Sequence, residues 1–201
     1  MKRSGRRTAG LVFILLIIIV IGAQLLATLV QQDFGRVLVR NVRYSNAHGI
    51  PIRAKLLVPA ALEPGESAPG VVYVHGYQNN RETNDPYAIE LARRGVVVLS
   101  IDAIGRGNSG NPGSMEDPDF DETYGARSSL EYLRSLPEVD PQRTGLMGHS
   151  LGAEMVYGIA LEDEDVQALV ISGFGYRADA TADMPANMLM ILGKYDEYRR
   201  S

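Results

Sequence analysis

The spacing of hydrophobic and polar positions changes abruptly once along the chain. Between Thr8 and Gln32 there is no charged residue, and residues 11–30 read LVFILLIIIVIGAQLLATLV. At about 1.5 Å per residue such a run crosses the roughly 30 Å hydrocarbon core of a bilayer, which predicts a transmembrane helix over 11–30. Lys2, Arg3, Arg6 and Arg7 precede it in residues 1–10. Positive charge on that side predicts a cytoplasmic N-terminal tip, with everything after the span on the outer face. A cleaved signal peptide is the rival, since it too combines a basic start with an apolar stretch. The apolar run exceeds the usual length of such a peptide, and only Leu25-Leu26-Ala27 offers a weak cleavage site.

Past Asp33 the pattern shortens. Arg36 to Ser45 and Ile52 to Val58 read as two strands joined by the turn-rich NAHGIP. Short apolar runs bounded by glycine follow: VVYV at 71–74, VVVLSI at 96–101 and LMG at 146–148, then ALVIS at 168–172 and MLMIL at 188–192. Strands covered on both faces read as continuous apolar runs. Helices are predicted between them. Asp85–Arg94 opens with Asp-Pro, a favourable start. Asp121–Leu136 carries Tyr124, Leu130, Leu133 and Leu136 at near-helical spacing, and Ser150–Leu161 is the third. The alternation predicts an α/β domain over 36–201 with a mostly parallel sheet flanked by helices.

Composition narrows the chemistry. There are no cysteines, which excludes disulfides, thiolate metal sites and a cysteine nucleophile. The three histidines, His48, His75 and His149, have no metal-ligand spacing, so no metal is expected. Four of the 20 basic residues lie in the N-terminal tip, leaving 20 minus 4, or 16, against 24 acidic residues in the remainder. A domain that acidic, without a Lys/Arg run, is a poor polyanion binder, so no nucleic-acid partner is expected.

Gly148-His149-Ser150-Leu151-Gly152 matches G-x-S-x-G. The pentapeptide alone is weak, but an apolar strand precedes it and a helix-compatible run follows. That strand–turn–helix setting presents the serine Oγ on a sharp turn that only glycine neighbours permit. The competing explanation is a Gly-rich turn with an idle serine. Gly105-Arg106-Gly107-Asn108-Ser109-Gly110 is literally G-x-G-x-x-G, yet NPGSMEDPDF follows it with no helical period, so no dinucleotide site is expected.

GHSLG, together with VVYVHGYQNN at 71–80 and SIDAIGRGNSG at 100–110, resembles the α/β-hydrolase superfamily, in particular its dienelactone-hydrolase-like and prolyl-dipeptidyl-peptidase-like branches. The resemblance implies a serine hydrolase, an esterase or peptidase that cleaves a small-molecule ester or thioester, or a peptide-like amide, without a cofactor. It implies Ser150 as nucleophile, the backbone N–H groups of Tyr77 and Leu151 as oxyanion donors, and His75 and His149 as structural histidines. It also implies Asp196, after the strand 188–192, as the carboxylate of the triad, with Asp179 and Asp183 as fallbacks. The triad order in this fold is Ser, acid, His, and no histidine follows Asp196. The chain is therefore expected to stop short of the last strand, the His loop and the last helix, and to be inactive as it stands. A non-catalytic binding or scaffolding module, or an acyltransferase on the same triad, are the alternatives.

Overall fold

The computed structural model describes residues 2–174 and 187–196. Asp179 and Asp183 lie outside them.

Helix α1 (Lys2–Gln31) leads into a tight turn at Asp33–Gly35 and then into strand β1 (Val37–Ser45). Within Thr8–Gln31 an 18-residue window of this helix has mean hydropathy 2.9 and none of it is buried. The helix is long and apolar enough to span a membrane. The turn after it is sharp because Asp33 and Phe34 both take left-handed backbone angles, φ 47° and 56°. Such angles cost non-glycine residues energy. The Asp33 carboxylate offsets that cost through Arg36 (2.8 Å) in the same turn and Arg93 (2.8 Å) in the helix beyond.

The chain continues through β2 (Pro51–Pro59), β3 (Ala68–Val74), α2 (Asp85–Arg93), β4 (Val97–Asp102), α3 (Ala126–Arg134), β5 (Val139–His149), α4 (Leu151–Glu162), β6 (Val166–Ser172) and β7 (Asn187–Ile191). The seven strands form one sheet in the order β1-β2-β4-β3-β5-β6-β7. β1 and β2 pair antiparallel, β2 joins β4 antiparallel, and the other five strands run parallel.

Helices cover both faces, which explains the continuous apolar runs. Ala88 and Ala92 of α2 pack on Leu57, Tyr73 and Val98. On the opposite face Leu130 and Leu133 of α3, with Val156 and Ile159 of α4, pack on Val72, Leu99, Ile101 and Leu146. Every residue of β4 is buried. Truncating Leu99 of β4 or Leu146 of β5 to alanine should cost on the order of 2–5 kcal/mol.

Two elements differ from the sequence expectation. α3 begins at Ala126 rather than Asp121, because the Asp121 carboxylate caps a turn instead of opening a helix. It accepts from the N–H groups of Thr123 and Gly125, both at 3.0 Å. Tyr124 and Gly125 are left-handed, and a Cβ on Gly125 would press into Ile52. β5 is longer than expected. It starts at Val139 and passes through the exposed, polar Pro141-Gln142-Arg143 before turning inward.

Candidate active site

The strand order changes direction at β3. The connection after β3 runs through α2 to β4 on one side, while that after β5 runs through α4 to β6 on the other. Open sheets of this kind bind ligands in the crevice outside the carboxyl ends of the two strands at the switch. Here those ends carry His75-Gly76-Tyr77 and Ser150.

Ser150 sits between β5 and α4 at φ 51°, ψ −119°, a backbone conformation costing on the order of 1–3 kcal/mol for a non-glycine residue. Its N–H donates to the Ser172 carbonyl at 2.8 Å, which ties the turn to β6. Its carbonyl accepts from Ala153 N–H (2.9 Å) and Glu154 N–H (3.1 Å), the first bonds of α4. The N–H of Leu151 precedes those bonds, among the donors that a helix start leaves without a helical acceptor. The flanking glycines are sterically required. A Cβ on Gly148 would fall on the backbone of Gly152, and one on Gly152 would strike the carbonyls of Val74 and His75. This second contact brings the Ser150 turn against the loop that carries Tyr77.

The three histidines are otherwise engaged. His75 is 2% exposed; its Nδ1–H donates to the Gly76 carbonyl at 2.8 Å, while its Nε2 accepts from the Ala103 N–H at 3.2 Å. The ring of His149 lies against Gly76 and Gly173, with Nδ1 3.0 Å from the Ser172 hydroxyl. His48 lies in the β1–β2 turn, 3.6 Å from Asp119. That is three strand spacings, about 14 Å, from β5.

Asp196 follows β7 in a short turn, its N–H donating to the Gly193 carbonyl at 3.1 Å. β7 lies two strands from β5, so Asp196 and Ser150 share the carboxyl edge of the sheet, with β6 between their strands.

Sequence reasoning marked the loop after β4 but missed what its residues hold. Asp102 is 1% exposed and accepts from the N–H groups of Arg81 and Asn108, both at 2.9 Å. A Cβ on Gly107 would overlap that carboxylate. The glycines at 105 and 107 thus serve a loop folded around an aspartate, and α3 starts only at Ala126. No helix opens inside the motif to receive a pyrophosphate. Arg106 from this loop reaches Tyr77. Its signal was the Asp-x-x-Gly-x-Gly-x-Ser spacing, which marks a loop but not the partner of its arginine.

Burial is the largest cause of a lowered His75 pKa, because it disfavours the charged ring. With the folded value below the unfolded one of about 6.5, the unfolded chain binds the proton more readily. The stability from keeping His75 neutral is therefore full above about pH 6.5. It is lost as pH falls from there through the folded value. Urea midpoints should fall as pH drops below about 6.5. His75→Asn should remove that step, and an unchanged profile in the variant would contradict the assignment.

A mostly parallel sheet flanked by helices, with a strained serine between β5 and α4 at the switch point, defines the α/β-hydrolase fold. A family model described as serine aminopeptidase, S33, matches residues 65–197, and the chain belongs to that family. The uncharacterized protein PA2218 of Pseudomonas aeruginosa is 28% identical over 166 residues, 77% of this chain and 44% of that protein. Its crystal structure superposes with TM-score 0.61 at 29% identity, over 69% of this chain and 43% of that one. Thiohydrolase aneE of Aspergillus aculeatus is 29% identical over 132 residues, 64% of this chain and 39% of that protein. An acetyl xylan esterase from Paenibacillus sp. R4 shares the fold, with TM-score 0.58 and 24% identity over 69% of this chain and 49% of that one. The chain spans less than half the length of these curated relatives.

Proposed function

We propose that this protein is a serine hydrolase that cleaves an ester, thioester or amide through an acyl-enzyme on Ser150. The observation that carries the proposal is the strained Ser150 turn packed, through Gly152, against the His75–Tyr77 loop. Ser150 Oγ attacks the carbonyl carbon, and the N–H groups of Tyr77 and Leu151 stabilise the oxyanion that forms. The leaving alcohol, thiol or amine departs with a proton from the base, and water then releases the acyl group. The base in this proposal is a histidine outside these 201 residues, since His48, His75 and His149 are held elsewhere. Asp196 orients that imidazole and stabilises its cation. The family description supports amides among the substrates, and the thiohydrolase relative supports thioesters.

A p-nitrophenyl ester tests the proposal. The gene product that includes the histidine should give a burst of nitrophenol equal to the enzyme present, with the acyl group on the peptide containing Ser150. Turnover without an acylated peptide would argue for a different mechanism.

Residues 11–30 are proposed to hold the protein in the membrane as an uncleaved span, with residues 1–10 cytoplasmic and 36–201 outside. The apolar length of α1 and its basic start support this. Expressed in a bacterium, the chain should stay in the membrane pellet after carbonate washing. External protease should remove the acidic domain. A shorter soluble form would instead indicate cleavage near Ala27.

A further inference from the structure

The Tyr77 N–H and the Gly76 carbonyl belong to one peptide unit, so whatever fixes that carbonyl also aims the N–H. The carbonyl accepts from His75 Nδ1–H at 2.8 Å and from Asn79 N–H at 3.1 Å. On the other side of Tyr77, its own carbonyl accepts from Arg106 Nε at 2.7 Å. The Arg106 guanidinium also lies 4.7 Å from the centre of the Tyr77 ring and donates from Nη1 to the Gly105 carbonyl at 3.0 Å. Tyr77 itself is 58% exposed, so its position rests on these hydrogen bonds and the Arg106 contact rather than on burial of its ring.

The loop that supplies Arg106 is braced by its own hydrogen bonds. Asp102 holds its far side through Asn108 N–H. Ser109 Oγ donates to the Asp102 carbonyl at 2.6 Å and accepts from Arg53 N–H at 2.9 Å. Gly105 N–H donates to the Gly110 carbonyl at 2.7 Å, closing the loop. The same loop begins at Ala103, whose N–H fixes the His75 ring. Both peptide units flanking the Tyr77 α-carbon are therefore tied to one segment, residues 103–110: the first through His75, the second directly through Arg106.

We infer that Arg106 is a positioning residue for the oxyanion loop, holding the Tyr77 N–H on the developing charge by bonding the next peptide and stacking on the ring. This rests on the serine hydrolase reading above. Arginine suits the task because its planar fork can bond two carbonyls while lying over an aromatic face. Lysine offers a point charge with no plane. A donor displaced by about 1 Å can cost on the order of 100-fold in rate without weakening substrate binding.

The test compares wild type, Arg106→Ala and Arg106→Lys in the gene product that includes the histidine. Readouts are kcat and KM on a neutral p-nitrophenyl ester, the rate of Ser150 labelling by a fluorophosphonate, and thermal melting. Arg106→Ala should lower kcat and the labelling rate by about 10–100-fold, with KM within about twofold and folding retained. Arg106→Lys should fall between the two, because it keeps one donor and loses the stack. If wild type turns over and Arg106→Ala matches it, the inference is wrong. A rise in KM alone would also overturn it and make Arg106 a substrate-binding residue. If Arg106→Ala melts near room temperature, the folded Arg106→Lys variant decides: unchanged kcat and labelling overturn the inference. A wild type that neither turns over nor labels sinks the hydrolase reading instead.

Discussion

Replacing Ser150 with alanine is expected to lower kcat on the order of 10⁶-fold in the histidine-containing hydrolase proposed above, the size of loss seen when a serine hydrolase loses its nucleophile alone. The loss is large because nucleophile and base act as a unit. Without Oγ the base has no proton to take, and only the oxyanion donors and binding remain. The fold should survive the change. Ser150 uses its backbone N–H and carbonyl to hold the turn, through Ser172, Ala153 and Glu154. Alanine keeps these groups, and a melting curve should confirm retention. The same logic applies to the 201 residues alone. With no imidazole free to act, Ser150 is an ordinary alcohol at neutral pH, and hydrolysis should be negligible.

The second largest effect is expected at Asp196. Asp196→Asn should lower kcat on the order of 10⁴-fold, because an amide favours the wrong imidazole tautomer and cannot stabilise the cation. KM should change little, since in this proposal the carboxylate bonds the base rather than the substrate. Steady-state kinetics of the variant check this. Full activity would move the acid to Asp179 or Asp183, on the same side of β6 in sequence.

Sequence legibility followed burial. β3 and β4 were visible because helices on both faces leave no polar alternation, whereas β6 and β7 showed as apolar runs although β7 stays exposed to half-buried among the described residues. The glycine-flanked turn was visible because Gly148 and Gly152 face backbone rather than side chains, and no other residue fits there. The start of β5 was hidden, because Pro141-Gln142-Arg143 is exposed before the strand enters the sheet. Tyr124 looked helical by spacing, yet the Asp121 turn and left-handed Gly125 stop the helix short of it. The Arg106–Tyr77 contact spans 29 positions and depends on β3 lying beside β4. Spacing within a loop cannot reveal a partner that strand order supplies. The switch point was equally hidden, since it follows from which neighbours each strand chooses.

The central claim is that Ser150 is the nucleophile, and locating a fluorophosphonate adduct by peptide mass tests it most directly. In the gene product that includes the histidine, the adduct should fall on the peptide containing Gly148 to Gly152, at Ser150, and should disappear in Ser150→Ala. An adduct on another serine, or undiminished labelling of the Ser150→Ala variant, would contradict the account.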